Sequence, residues 1–395
     1  MATKQQEDKS KTEVRNSERL KALKDRLAEV KQDKVLGNRS ISTGSLFIDL
    51  NINPKQPGLR CGKAHVVAGR PGAGKTSFCL SIARALLAKN KTKGPGQDPA
   101  IVIYIDVENG MDDGLLHLYG FTRYATENFE FKVTNSGPEV LSLIEKIIVD
   151  FQGYDGEVLI IVDSIPHLSY VSEKEPFTDY KKTSAVAQGP NKLKTFFREN
   201  KARLANTNIC LVLLTFMTAN IGRKTEYEPQ YILSGGSFLE YAADVAIELS
   251  AKGSPREMEI PPPSDKDKQG PKKPAGLGKF QDVNFRFIKN KSAAKMPFQY
   301  TLCLVPDENY KAGIQDLSLM VNYAVDKRVV DLAGSWIRYN GSQWQGKAKF
   351  KDALKEAARA ARDGVDLSDS AVNGLHEKLY RDVRARILQE HNIVE

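Results

Sequence analysis

Residues 69–76 read GRPGAGKT, which matches G-x-x-x-x-G-K-[ST], the spacing of a loop that cradles phosphate. The residue types explain the chemistry. Gly69, Gly72 and Gly74 carry no side chain, so backbone N–H groups can converge on phosphate oxygens at the positive end of the next helix. Arg70, Pro71 and Ala73 complete the loop, and Ser77 continues it into that helix. Lys75 is placed to reach the β- and γ-phosphates, and the Thr76 hydroxyl to ligate Mg²⁺. A plain glycine turn ahead of a helix is the competing explanation, and the flanks argue against it. KAHVVA before the loop is a short β-branched run, and SFCLSIARALLA after it repeats apolar residues at helical spacing. A bound nucleotide is expected here.

Two further stretches supply carboxylates. VLIIVDS brings Asp163 to the carboxyl edge of a strand, where it can hold the metal's shell together with Thr76. A simple strand-end cap is the alternative role. IVIYIDVENG presents Asp106 and Glu108 at the end of another strand, and alternation sends both side chains to the same side, near the phosphates. Glu108 is the candidate base that orients or deprotonates an attacking water, against the alternative of a solvated loop carboxylate.

The elements that must position these groups form an α/β pattern. In a chain of 395 residues, one large or two modest domains are expected. Residues 1–37 form a basic N-terminal segment. Within it, 13–36 place Leu20, Leu23, Leu27 and Val30 on one helical stripe, packed on its own domain or docked on a neighbouring subunit. Residues 38–314 alternate strands and helices. AIVIYIDV, EVLIIVDSI and ICLVLLTF are near-continuous apolar runs, as in strands buried on both faces of a mostly parallel sheet. Helices are expected near 138–151 and 190–205. Residues 253–279 are rich in Pro, Gly and Lys and are expected as a flexible insert in this core. Residues 315–395 follow as a small α/β C-terminal domain.

Composition narrows the class. No apolar run approaches the ~20 residues of a membrane span, and the first residues are too polar for a secretory signal. Cys61, Cys79, Cys210 and Cys303 are far apart, which fits buried thiols in a reducing cytoplasm better than disulfides. The five histidines show no metal-ligand spacing. A net charge of +9 permits a polyanionic partner without requiring one. Residues 217–234, MTANIGRKTEYEPQYILS, have no regular period and run into Gly235 and Gly236. A loop this long in a compact core is usually functional or disordered. Arg223 and Lys224 could meet phosphates, and Tyr227 and Tyr231 could stack on bases. Residues 169–182 are a weaker candidate for a second such loop.

At this point a family likeness enters. The chain resembles the RecA-type recombinases, particularly bacterial and phage members, over most of residues 40–352. The likeness rests on ISTGSLFIDL, GRPGAGKT, YIDVENGMDD, LIIVDSIPHL, SGGSFLEYAADVAIEL, IKNKSAAKMPFQYTL and VVDLAGSWIRYNGSQWQGKA, in the family's order. It implies a RecA-like P-loop NTPase core that uses ATP and Mg²⁺ to form a helical homo-oligomeric filament on single-stranded DNA. Pairing and strand exchange with homologous duplex DNA follow, with single-strand-binding and loader proteins as further partners, in a bacterial or phage-infected cytoplasm. It supports Glu108 as the catalytic base, places Asp112 near the adenine, and gives Ile221, Gly222, Gly235 and Gly236 to the DNA site, with Ile221 wedging between base triplets. Lys289 and Lys291 match the lysines that the family sends into the neighbouring subunit's ATP site.

The chain departs from the family at two places. Thr215 and Phe216 stand where bacterial members carry Asn-Gln, and a Phe cannot hydrogen-bond the γ-phosphate. Leu115 replaces a Tyr against the adenine, for which Tyr310, of the same or a neighbouring subunit, is a candidate substitute. A ring helicase on the same fold, or a DNA-coating protein that uses ATP only to assemble, are the competing functions.

Overall fold

The computed structural model describes residues 39–94, 96–124, 126–170, 185–220, 225, 231–236, 238–260, 276–306, 311–363 and 374–390. The expected N-terminal helix, Tyr310, Ile221, Gly222, Arg223, Lys224 and Tyr227 lie outside them, as does most of 169–182.

The chain begins with β1 (Ser40–Ile41), α1 (Leu46–Ile52), β2 (Leu59–Arg60), β3 (Lys63–Gly69) and α2 (Lys75–Ala88). It continues through β4 (Ile101–Asp106), α3 (Asp113–Leu118), β5 (Phe129–Val133), α4 (Gly137–Asp150), β6 (Val158–Asp163), α5 (Ala185–Ala205) and β7 (Ile209–Thr215). A short hairpin follows, β8 (Met217–Ala219) with β9 (Tyr231–Leu233), and then α6 (Phe238–Ala242). Long strands β10 (Val245–Ile260) and β11 (Gly276–Asn290) lead to β12 (Phe298–Val305) and β13 (Gly313–Ile314). The C-terminal part holds α7 (Asp316–Asp326), a three-stranded sheet of β14 (Asp331–Ala333), β15 (Trp336–Tyr339) and β16 (Ser342–Gln345), then α8 (Gly346–Asp363) and α9 (Leu375–Glu390).

Among the described residues the central sheet has nine strands in the order β13-β12-β11-β10-β3-β7-β6-β4-β5. From β10 to β5 neighbouring strands run parallel, and β11 to β13 are added antiparallel. Every residue of β6 and β7 is buried, which is why they read as unbroken apolar runs. Alternate residues feed two clusters, one per face. Leu159 and Ile161 join the cluster that includes Phe78 and Leu80 of α2, while Val158, Ile160 and Val162 join Ile144 of α4 and Phe196 of α5. Parallel strands end together, so the carboxyl ends of β3, β4, β6 and β7 share one edge. Ligands of open α/β sheets gather at that edge.

Both ends of the expected insert are strand. Arg256 pairs with Phe280 and Ile260 with Gly276, so β10 and β11 continue as a two-stranded arm, and only 261–275 lie outside the described residues. A Pro can be seated in such a ladder only where its missing N–H is not needed, and Pro255 is. It falls in the register shift between Lys252 and Arg256, where the ladder asks for no N–H from it.

The first cluster does not stop at the sheet. It runs on through Tyr323 of α7, Phe350 and Leu354 of α8 and Leu379 of α9, so the C-terminal helices share a core with α1 and α2. Polar ties cross the same seam: Ser45 Oγ and Tyr380 Oη both donate to the half-buried carboxylate of Asp316. All four cysteines are buried free thiols. Among the described residues no helix is long and apolar enough to cross a membrane.

Candidate nucleotide site

The 69–76 loop leaves β3 and enters α2 as the spacing predicts. Gly74 caps the helix with φ 86°, a left-handed conformation costly for a residue with a Cβ, and a Cβ there would lie 2.5 Å from Leu302 Cδ1. The Lys75 ammonium donates to the Gly69 carbonyl at 3.0 Å and the Arg70 carbonyl at 3.2 Å. Partial burial pulls its pKa down, against the opposing pull of Asp163 and Glu108. Ser77 lies in the first turn of α2, where its carbonyl accepts from the Ser81 hydroxyl at 2.8 Å.

Asp163 ends β6 next to the loop. Its Oδ2 accepts from the Thr76 hydroxyl at 2.9 Å and from the Tyr104 hydroxyl at 2.5 Å. Burial raises its pKa, and these two donors hold the carboxylate form against that pull. The donor set is two hard oxygens, a hydroxyl and a carboxylate side by side, which fits Mg²⁺ completed by phosphates and water.

Glu108 lies beside Asp163 because the N–H groups of Val107 and Glu108 both donate to the Asp163 carbonyl, at 2.7 and 3.3 Å. Its Oε1 accepts from Ser164 Oγ at 2.5 Å and lies 2.8 Å from His167 Nδ1. Ser164 Oγ is also 2.9 Å from that nitrogen, closing a triangle. The three groups follow directly from the ends of β4 and β6.

Asp106 does not accompany Glu108, although alternation predicts a shared side. β4 ends at Asp106, so the period stops there, and the buried Asp106 carboxylate accepts from the N–H groups of Gly110 and Met111. It shapes the 107–112 loop from within. Asp112 caps α3 by accepting from Leu115 N–H at 3.1 Å, and Leu115 packs against the core.

The end of β7 meets the same edge. Thr215 Oγ1 donates to the Ser234 carbonyl at 2.6 Å, and Ser234 N–H donates to the Phe216 carbonyl at 2.8 Å. These bonds close the base of the β8–β9 hairpin, whose strands the irregular reading of 217–234 missed. Gly235 and Gly236 follow with φ 94° and 100°. A Cβ on Gly235 would lie 2.9 Å from Leu239 and 3.2 Å from Ile165, so the turn packs closely there. Tyr231, expected to stack on bases, instead meets the phosphate loop: Arg70 lies over its ring and donates to its hydroxyl at 3.2 Å.

Lys289 and Lys291 lie elsewhere. β11 ends at Asn290, so Lys291 falls just past the strand. The Lys289 ammonium donates to the carbonyls of Glu240 and Tyr241 in α6, at the amino end of β10, whereas the 69–76 loop lies at the carboxyl end of the parallel strands.

Two members of the site had no signal in spacing. Tyr104 could have been suspected, since a Tyr within a buried strand needs a partner for its hydroxyl. His167 could not, because its contact depends on how β4 and β6 are juxtaposed. No known protein-family model matches the chain.

Proposed function

We propose that the protein is a RecA-type recombinase, an ATPase that assembles on single-stranded DNA and carries out homologous pairing and strand exchange. One observation carries this reading. A phosphate loop, a buried carboxylate on its Thr and a more open Glu converge on one sheet edge, and the hairpin expected to hold DNA is tied to that same edge.

In this mechanism Lys75 exchanges its two loop carbonyls for the β- and γ-phosphates of ATP, while N–H groups at the start of α2 take the remaining oxygens. Thr76 and Asp163 would hold Mg²⁺, which when bound neutralises charge developing on the phosphates. Both contacts of Glu108 fall on Oε1, so among the described residues Oε2 is the oxygen left to take a proton from water. Arg223 and Lys224, between β8 and β9 in sequence, would meet DNA phosphates. Lys289 and Lys291 face away from their own loop and would serve a neighbouring subunit's site.

Phe216 favours one second reading, a coating protein that uses ATP only to assemble, because its ring cannot hydrogen-bond a phosphate. Strand exchange in ATP and in a non-hydrolysable analogue, with turnover measured with and without single-stranded DNA, separates the two. Exchange together with DNA-stimulated turnover supports the recombinase. Filaments without either support the coating protein.

A further inference from the structure

We infer that His167 is a positioning residue that holds Glu108 and links it to the base of the DNA hairpin through Phe216. This rests on the recombinase reading above. His167 follows β6 in a single turn of 3-10 helix, Ile165–His167, and its ring is used on two sides. Nδ1 lies 2.8 Å from Glu108 Oε1 and 2.9 Å from Ser164 Oγ. A proton on Nδ1 makes it a donor to the carboxylate. The ring also meets Phe216 edge-on, with centroids 5.4 Å apart and planes at 67°. A solvated surface histidine is the bland alternative, since the side chain is 45% exposed, but it explains neither contact.

Phe216 is the residue between β7 and β8, and its carbonyl accepts from Ser234. A shift of the hairpin base therefore moves the Phe216 ring. One residue before Ser164's partner His167, Pro166 follows Ile165, whose side chain packs under Gly235 at the other foot of the hairpin. Both feet thus bear on the one turn that carries His167. At the position where the family is expected to bear a phosphate sensor, this chain carries an apolar ring, and the polar group is on the facing turn.

The test uses His167→Ala, His167→Asn and Phe216→Leu in the full-length protein, with ATP turnover measured with and without single-stranded DNA. His167→Ala should lower kcat about tenfold, short of the ~10²–10⁴-fold of losing a general base, with little change in KM for ATP. His167→Asn keeps a donor near the position of Nδ1 and should regain part of that loss. Phe216→Leu should keep DNA-free turnover and lose stimulation by DNA. His167→Ala should also lose stimulation by DNA, so in the double variant His167→Ala/Phe216→Leu the two effects on stimulation should not add. Wild-type kcat and stimulation in His167→Ala, or an Asn variant no better than Ala, overturns the inference. If wild-type protein turns over no ATP, the recombinase reading fails and this one with it. If wild-type turnover is DNA-stimulated and the variants match it, only this inference falls.

Discussion

Asp163 and Glu108 sit side by side in different surroundings. Asp163 is buried under Thr76 and Tyr104, as suits a metal-holding carboxylate; Glu108 is partly open to solvent, as suits a base that must meet water. Lys75→Ala should therefore weaken ATP binding, measurable by titration. Glu108→Gln should keep binding and filament formation but lower turnover ~10²–10⁴-fold; wild-type turnover in the Gln variant ends that assignment. A second residue-scale prediction concerns Asp49. Burial pushes its pKa from 3.8 up to about 6, against hydrogen bonds from Ser42 and Thr43. A carboxyl with a raised folded value binds its proton more tightly when folded. Its contribution is full below 3.8 and is lost as pH rises through about 6. Burial raises Asp316 and Asp163 in the same sense, so the test is a difference between proteins. Chemical denaturation at several pH values should show Asp49→Asn lacking about 1–3 kcal/mol of the wild type's loss between pH 4 and 7. Parallel curves would refute it. Lys75, Thr76, Asp163 and Glu108 were legible because each belongs to a short run of fixed spacing. Tyr104 and His167 were not, since their roles arise across strands.

At the scale of elements, the parallel strands were legible because burial on both faces demands apolar residues at every position. The arm and the β8–β9 stem were not. Backbone pairing there needs no apolar pattern, and the solvent side of Met217–Ala219 and Tyr231–Leu233 leaves mixed residues. One tie between elements is testable. Arg60 of β2 holds Asp244, just before β10, through Nε at 2.9 Å and a second nitrogen at 2.5 Å. Burial would raise the Asp244 pKa, and the Arg60 contact holds it low instead. Removing Arg60 leaves a buried carboxylate without its fork. Arg60→Ala should lower stability by about 2 kcal/mol, a value reduced for the partial exposure of Arg60. An unfolding midpoint unchanged in urea would show the pair contributes nothing.

For the whole molecule, on the proposed recombinase reading, the placement of Lys289 and Lys291 would make assembly and hydrolysis one event. Lysines at the amino end of β10 cannot serve a loop at the carboxyl edge of the same subunit without leaving α6. Lys289→Ala/Lys291→Ala should keep ATP binding and lose DNA-stimulated turnover, with a small cost in stability from the freed α6 carbonyls. Mixed with Glu108→Gln protein, it should regain activity at interfaces where the Gln subunit lends lysines to an intact Glu108. Mixed filaments with no recovery would show that the lysines do not act in trans.

The seam between the first helix and the C-terminal helices has a consequence for synthesis. Ser45 and its partner Asp316 are 271 residues apart, and β3, which carries the phosphate loop, is flanked by β7 and β10, both made long after it. On the ribosome β3 has no neighbour in the sheet until β7 emerges, it stays an edge strand until Leu249 of β10 follows, and the apolar side of α1 waits for α7 and α9. Contacts this far apart in sequence form slowly and leave apolar surface bare meanwhile. A nascent chain stalled before Asp316 would be a sticky fragment, its central sheet largely made but the apolar side of its first described helix still bare.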